Sequence, residues 1–220
     1  GKTIQVYGAR DACDADMVLM THVRRDLAMF AGNAQTKVVS PKSSSGLLTQ
    51  PATHWEDWWE SRFNYYGQQV TKLPVLPLRV GRGVEDRAVI KWQGLEIKVI
   101  GVPGYTRDMV AYVVDVDGKR IVFSGDLIWE GGKVFDLYSF QDAIPEAKIG
   151  SYHGYGGRLA PWIASLRKIA NLKPDLIIPL RGPVLTKPLV DLHLAIEQAR
   201  AVYQNYLSTN ALNWYFGEER

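Results

Sequence analysis

The dipeptide Asp117-Gly118 constrains the fold of this chain more than any other short feature. It joins two largely apolar segments, Met109–Val116 and Arg120–Ser124, in which β-branched residues are frequent. Aspartate and glycine tolerate the positive φ angles of a tight type I′ turn, so this pattern predicts a β-hairpin. A second hairpin is predicted just upstream, where Gln93-Gly94 separates Ala88–Trp92 from Leu95–Ile100.

Shorter segments on either side complete the predicted framework. Strands are predicted at Ile4–Tyr7, Met17–Met20, Lys37–Ser40 and Leu176–Pro179. Helices are predicted over Arg158–Asn171 and from about Pro188 to Leu207. The second is predicted to have an inward stripe of Leu189, Leu192, Ile196, Ala199 and Tyr203, on which His193 also lies as a core histidine. Strand pairs followed by alternating helices and strands indicate an α/β, or layered α+β, domain.

The segment from residue 43 to 70 is predicted to contain a loop followed by an aromatic helix. Ser43–Gly46 predicts a flexible loop, and Thr53-His54-Trp55-Glu56 matches the capping box that begins a helix. Aromatic residues follow at helical spacing, which favours packing, although so many rings could also wall a pocket. We therefore predict one domain over residues 1–220, with 43–70 as an inserted loop and aromatic helix and 187–220 as a C-terminal helical extension.

The composition of the chain argues against several classes of function. The 220 residues are 46% hydrophobic with a net charge of +3, which suits one globular domain with a substantial core. Basic residues form no run longer than two, which argues against nucleic-acid binding. One cysteine, Cys13, excludes an intrachain disulfide, and no segment approaches the ~18 apolar residues of a membrane span. Without a signal-peptide pattern, we expect a cytoplasmic protein, or else a processed or excised chain.

Four short motifs fall at the ends of predicted strands. They are Thr21-His22-x-Arg24-x-Asp26-Leu27, Pro103-Gly104-Tyr105-Thr106, Ser124-Gly125-Asp126 and Pro179-Leu180-Arg181-Gly182. Their order and spacing over about residues 15–185 resemble the metallo-β-lactamase superfamily. The resemblance implies an αββα sandwich whose loops gather metal ligands at one edge.

In typical members of that superfamily, the motifs read H-x-H-x-D-H, P-G-H-T, T-G-D and a final G-H-G. They hold one or two zinc or iron ions, which lower the pKa of a bound water to about 7 and so supply hydroxide. By resemblance, His22 and Asp126 are the metal ligands that this chain retains. Asp26 is implied as a ligand and proton acceptor, and is a catalytic candidate only if the chain is active.

The chain departs from the pattern at four positions. Arg24, Leu27, Tyr105 and Arg181 stand where the resemblance expects histidines. An arginine does not lose its proton to become a ligand, and leucine has no donor atom. The two guanidinium groups would instead pair with the carboxylates of Asp26 and Asp126.

These substitutions favour a non-catalytic binding or structural domain that has lost its dinuclear site and needs no cofactor. Its pocket would present Arg24, Tyr105, His153 and Arg181 to a small polar or anionic ligand. The alternative is an active zinc- or iron-dependent hydrolase with a reduced or displaced mononuclear site, for which His22, Asp126 and His153 are one conceivable set. Its substrate would be an ester, lactone, thioester or phosphodiester. Whether the chain is an enzyme stays open at this point.

The N-terminal part of the resemblance is incomplete. Superfamily members carry a β-hairpin layer before the first motif, but only about twenty residues precede His22 here. An uncovered strand edge tends to associate with other chains. We therefore predict that a second copy of the chain, or a missing N-terminal segment, covers the open sheet edge.

Overall fold

In the computed structural model, the described residues form two β-sheets with helices on their outer faces. The described ranges are 2–7, 15–24, 27–28, 37–53, 76–134 and 154–209. The first sheet has the order β1-β2-β3-β4 and each neighbouring pair is parallel. Its strands are β1 (Ile4–Val6), β2 (Met17–Leu19), β3 (Lys37–Pro41) and β4 (Val80–Val84).

The second sheet has the order β5-β6-β7-β8-β9 and contains both predicted hairpins. Its strands are antiparallel up to β8, and β9 then pairs with β8 in parallel. Their bounds are β5 (Val89–Trp92), β6 (Leu95–Gly101), β7 (Val110–Val116), β8 (Lys119–Gly125) and β9 (Leu176–Pro179).

Within the described ranges, three helices with defined bounds and two 3-10 turns accompany the sheets. A 3-10 turn at Lys42–Ser44 runs into α1 (Ser45–Thr49), and a second turn lies at Glu130–Gly132. The long helices are α2 (Gly154–Asn171) and α3 (Pro188–Thr209). Within the described ranges, none of the helices combines the length and the apolar character that crossing a bilayer requires.

Alternating side chains of β2 and of Met20, the residue after it, show how the layers are built. Met17 and Leu19 face a buried cluster between the two sheets, together with residues of β5, β6 and β7. Val18 and Met20 face the opposite side and pack in a second cluster with Leu27 and with Leu47 and Leu48 of α1. This two-residue period is what a strand covered on both faces requires.

A third buried cluster closes the opposite side of the second sheet. Ala111 and Val113 of β7 pack there against Leu159, Leu166 and Leu192 of the two long helices. Helix, sheet, sheet and helix therefore follow one another, as predicted for an αββα sandwich. The sequence of layers confirms the predicted fold class.

Some local predictions were wrong. Ser43–Gly46 is not a flexible loop, because it lies in the 3-10 turn and the start of α1. On α3, Leu192, Ile196 and Ala199 are buried as predicted, whereas Leu189 and His193 are exposed and Ala195 is buried as well. The structure thus places His193 on the surface rather than in the core.

Other predictions concern residues outside the described ranges. The aromatic helix predicted after Thr53 and the part of the C-terminal extension beyond residue 209 belong to this group. Among the described strands, β1 has a hydrogen-bonded neighbour on one side alone, β2. Coverage of that edge by a partner stays a prediction.

Candidate functional site

Three loops that follow strands meet at one edge of the sandwich. His22 lies three residues beyond β2, Asp126 follows β8 directly, and Arg181 lies two residues beyond β9. Because β8 and β9 run parallel, their carboxyl ends lie side by side and bring their following loops together. The topology therefore explains how residues more than a hundred positions apart become neighbours.

The centre of this edge is a contact between His22 and Asp126. The Nε2 atom of His22 lies 3.2 Å from Oδ2 of Asp126, and the two side chains are 0% and 1% exposed. Nevertheless, His22 Nε2 and both carboxylate oxygens of Asp126 make no hydrogen bond within the described part of the chain. Buried polar atoms usually have a hydrogen-bond partner, so the close approach of these atoms without a hydrogen bond requires an explanation.

Arg181 approaches the same carboxylate from the solvent side. Its Nε atom lies 3.2 Å from Oδ1 of Asp126, and its side chain is 25% exposed. Burial alone would raise the pKa of Asp126, but the adjacent His22 imidazole and then the charges of Arg181 and Arg24 hold it below its ordinary value. Asp126 is therefore an ionised carboxylate in an enclosed site.

Tyr105 and Arg24 form the next part of the site. Nη1 of Arg24 donates to the Tyr105 hydroxyl at 3.0 Å, and its guanidinium carbon lies 5.6 Å from the ring centre. The edge-to-face contact between Tyr105 and His22 has a centroid distance of 4.9 Å and an interplanar angle of 67°. Tyr105 thus links the buried imidazole to the half-buried arginine.

Thr21 fixes the other side of the histidine ring. Its Oγ1 lies 3.0 Å from Nδ1 of His22, and its backbone oxygen accepts a hydrogen bond from the Val110 amide at 2.9 Å. Thr21 is fully buried. The imidazole is therefore held through Nδ1 while Nε2 faces Asp126.

Gly125 makes the turn that delivers Asp126. Its φ angle is +61°, and a Cβ placed on it would lie 2.6 Å from both Met109 Cε and Thr21 Oγ1. Its amide donates to the Tyr7 hydroxyl at 2.9 Å. Both the backbone conformation and the close approach require glycine at this position.

The structure brings together five of the side chains singled out from the sequence. These are His22, Arg24, Tyr105, Asp126 and Arg181. Leu27 is buried among apolar residues of the first sheet and α1. Asp26, His54 and His153 lie outside the described ranges.

Sequence reasoning missed Tyr7 and gave no role to Thr21. Thr21 could have been found, since it precedes His22 directly and its hydroxyl can reach the ring. No local signal marks Tyr7, which reaches β8 and β9 only because β1 lies beside β2.

A dinuclear metal centre does not fit these side chains. At the four substituted positions the chain offers two guanidinium groups, a phenol and an aliphatic side chain. Within the described part of the chain, no group of three His, Cys, Asp or Glu side chains could hold a metal ion. Two cations would also lie beside the positive charges of Arg24 and Arg181.

A single cation fits better. Two ligands at 2.0–2.2 Å from a tetrahedral zinc ion lie roughly 3.3–3.6 Å apart. His22 Nε2 and Asp126 Oδ2 are 3.2 Å apart and have no hydrogen bond between them. These two residues would hold the ion, with further ligands supplied by residues outside the described ranges or by solvent.

Comparison with known proteins gives a clear family match. The family model described as the metallo-beta-lactamase superfamily matches residues 35–180. That range contains Tyr105, Asp126 and the start of the final motif, but it does not contain His22. The position of His22 in the site therefore rests on the geometry given above.

Two curated relatives are hydroxyacylglutathione hydrolases of the genus Aeromonas. The protein of Aeromonas hydrophila is 36% identical over 109 residues, which are 49% of this chain and 34% of that protein. The protein of Aeromonas salmonicida is 37% identical over 57 residues, 26% of this chain and 21% of that protein. The matched part thus spans about a third or less of the length of these relatives.

Solved structures share the fold at low sequence identity. A metallo-beta-lactamase family protein of Thermus thermophilus has a TM-score of 0.59 at 13% identity, covering 93% of this chain and 72% of that one. An archaeal superfamily protein of Sulfolobus tokodaii has a TM-score of 0.56 at 17% identity, covering 90% of this chain and 76% of that one.

A metallo-beta-lactamase of Cronobacter sakazakii, solved as a variant of its HARLDQ motif, has a TM-score of 0.57 at 15% identity, with coverage of 93% and 86%. The six residues from His22 to Leu27 read H-V-R-R-D-L. They share with that motif a histidine, an arginine and an aspartate at the first, third and fifth positions.

Proposed function

Because this chain belongs to the metallo-β-lactamase superfamily, we propose that it is a metal-dependent hydrolase that uses one cation rather than two. One observation carries the proposal. His22 Nε2 and the Asp126 carboxylate are buried, converge to 3.2 Å and make no hydrogen bond. Burying such groups without hydrogen bonds is costly, and a bound cation would give His22 Nε2 a partner and add to the charge compensation that Arg181 provides to Asp126.

The reaction class follows from the curated relatives. Both are hydroxyacylglutathione hydrolases, enzymes whose name describes hydrolysis of an acyl group from glutathione. We therefore propose acyl hydrolysis, with a thioester as the first substrate class to test. Esters and lactones present the same carbonyl carbon to water and are the next classes.

The chain's own residues would prepare the site in distinct ways. A zinc or iron ion, when bound, lowers the pKa of a coordinated water and polarises a carbonyl group. Thr21 orients the His22 imidazole through Nδ1, which leaves Nε2 facing Asp126. Asp26, which the resemblance assigns as proton acceptor, would take the proton of the attacking water.

The arginines would stabilise negative charge in the site rather than bind the metal. Tyr105 holds the Arg24 guanidinium through a 3.0 Å hydrogen bond and through its ring face. A cation fixed beside the site stabilises the negative charge that develops on the acyl oxygen. Arg181 lies between Asp126 and solvent, so it shields that carboxylate from water.

A second candidate function is a metal-free binding domain. The contact of 3.2 Å between Arg181 Nε and Asp126 Oδ1 favours it, because a guanidinium can take the place of a cation beside a carboxylate. In that case, Arg24, Tyr105 and Arg181 would bind a small polar or anionic ligand, with His153 as a further candidate. No cofactor would then be needed.

Metal content separates the two candidates. We expect the purified protein to take up one zinc or iron ion per chain and to hydrolyse an acylglutathione thioester. Asp126→Asn should lose the metal and the activity, whereas Asp115→Asn, on an exposed hairpin, should keep both. A folded wild-type protein that binds neither metal would overturn the hydrolase proposal and favour the binding domain.

A further inference from the structure

The Tyr7 hydroxyl lies between two strands of a sheet to which Tyr7 does not belong. It accepts a hydrogen bond from the Gly125 amide at 2.9 Å and donates one to the Ile178 carbonyl oxygen at 2.8 Å. Tyr7 follows β1 in the first sheet, whereas its two partners belong to β8 and β9. One buried hydroxyl therefore connects both strand ends that carry the site.

The register of β8 and β9 shifts at this point. Phe123 pairs with Ile178, but the next pair is Gly125 with Pro179, so β8 has one extra residue in between. The ladder resumes beyond the irregularity, where the Leu180 amide donates to the Gly125 oxygen at 2.9 Å. The Tyr7 hydroxyl thus fills the gap in the ladder. Such bulges commonly turn a neighbouring side chain toward an active site.

The backbone of Tyr7 is itself unusual. Its φ angle is +68°, in the left-handed region that bulky residues rarely adopt. The Tyr7 amide donates to the Leu19 oxygen at 2.9 Å, which anchors this conformation to β2. Costly backbone conformations of this kind are retained mainly where the surroundings or the function require them.

The ring and the hydroxyl of Tyr7 have separable roles. The ring makes an edge contact with Phe123, with centroids 6.4 Å apart, and faces the cluster below the first sheet. A phenylalanine would preserve that packing and remove only the hydroxyl. Any change at Asp126 after such a substitution would therefore come from the two lost hydrogen bonds.

We propose that Tyr7 is a positioning residue whose hydroxyl holds the bulge between β8 and β9 and so aims Asp126 at His22. Its role in metal binding rests on the proposed hydrolase function, but its role in the contact between Asp126 and His22 does not. The effect passes from the hydroxyl to the Gly125 amide and from there to the next residue, Asp126.

The test compares Tyr7→Phe with Ile90→Val, a buried substitution on β5 at the far edge of the second sheet. The first readout is the imidazole nitrogen resonances of histidine-labelled protein without metal, with His22→Asn used to assign His22. The second readout is the Kd for Zn²⁺. Thermal unfolding gives the stability of each variant.

We expect Tyr7→Phe to shift the His22 resonances and to weaken Zn²⁺ binding about tenfold to a hundredfold, the usual effect of losing a group that orients a ligand. Ile90→Val should lose stability but leave both site readouts at the wild-type values. The proposal is overturned if Tyr7→Phe leaves the His22 resonances unchanged.

The role of Tyr7 is still tested under two further results. If wild-type protein binds neither zinc nor iron, the hydrolase proposal fails, yet the His22 resonances still decide the role of Tyr7. If Tyr7→Phe is poorly folded, the comparison is repeated in trimethylamine N-oxide, which favours the folded state of all variants. Wild-type resonances under those conditions would overturn the proposal in the same way.

Discussion

Arg24 and Tyr105, which replace two histidines of the superfamily pattern, bond to each other. Nη1 of Arg24 donates to the Tyr105 hydroxyl at 3.0 Å, although 81 positions separate the two residues in the sequence. One residue comes from the first motif and the other from the second. The two substituted positions are therefore coupled in the structure, since the arginine of the first motif donates directly to the phenol of the second.

A double-mutant cycle should measure this coupling. Arg24→Met keeps most of the aliphatic stem, and Tyr105→Phe keeps the ring that contacts His22. We expect the losses in unfolding free energy to be non-additive by about 0.5–1.5 kcal/mol, the size of a typical net hydrogen bond. Urea unfolding of the four proteins measures it. Combining Arg24→Met with Ile90→Val should be additive, and additivity in the first cycle would show that the bond contributes no stability.

Restoring histidines should increase metal binding. Arg24→His, Tyr105→His and Arg181→His together remove two positive charges and add three possible ligands. We expect this variant to bind more zinc per folded chain than the wild type, measured by elemental analysis after dialysis. Adding Leu27→His should complete the superfamily pattern but reduce stability, because Leu27 is buried among apolar side chains. Folded variants with unchanged zinc content would mean that these loops no longer have ligand geometry.

The hairpins were predictable because their signals are local. Gln93 and Gly94 have φ angles of +46° and +85°, and Asp117 and Gly118 have +50° and +73°. Two successive positive φ angles define the type I′ turn that these residue types favour. The layered fold was predictable for a different reason, because the ordered motifs at strand ends resemble those of a known family.

The helix at Ser45–Thr49 was not predictable, because its environment depends on distant residues. The hydroxyls of Ser43 and Ser44 donate to the carboxylate of Asp108, which belongs to the loop before β7. Thr106 donates to the same carboxylate at 3.0 Å. Serine and glycine alone favour a loop, and the contact with Asp108 changes that outcome.

On α3, the pattern correctly predicted the helix and its buried Leu192, Ile196 and Ala199, but it did not predict that Leu189 and His193 are exposed. Ala195 is buried, and its amide lies close to Gly132, where a Cβ would be only 2.8 Å away. Ala195 therefore belongs to the buried face of α3, while His193 lies exposed. A small residue that admits a neighbouring backbone carries no hydrophobic signal, so periodicity alone could not reveal it.

Gly125→Ala should be far more damaging than Gly118→Ala. Both glycines have positive φ angles, +61° and +73°, so both alanine variants are strained. At Gly118 nothing lies within 4 Å of the added carbon, and we expect a loss of about 1 kcal/mol. At Gly125 the carbon would meet Met109 and Thr21 at 2.6 Å, which adds overpacking of about 1–3 kcal/mol. Equal losses in urea unfolding would contradict the close packing around Gly125.

The buried Tyr112 should make the protein sensitive to alkali. Its side chain is fully buried, its hydroxyl donates to the Met20 oxygen at 2.8 Å, and burial raises the pKa of the phenol well above its ordinary value. The unfolded chain ionises this group above about pH 10, whereas the folded chain resists ionisation. The resulting stability is fully present below pH ~10 and is lost as the pH rises beyond it.

Each such tyrosine contributes a slope of about −1.4 kcal/mol per pH unit to the unfolding free energy in that range. We expect Tyr112→Phe to reduce the alkaline slope by that amount, because phenylalanine cannot ionise in either state. At neutral pH the same variant should lose about 1–3 kcal/mol, since the Met20 oxygen loses its partner. Ile90→Val should lower the whole curve without changing its slope. An alkaline slope in Tyr112→Phe equal to that of the wild type would mean that the Tyr112 phenol ionises as readily in the folded chain as in the unfolded one.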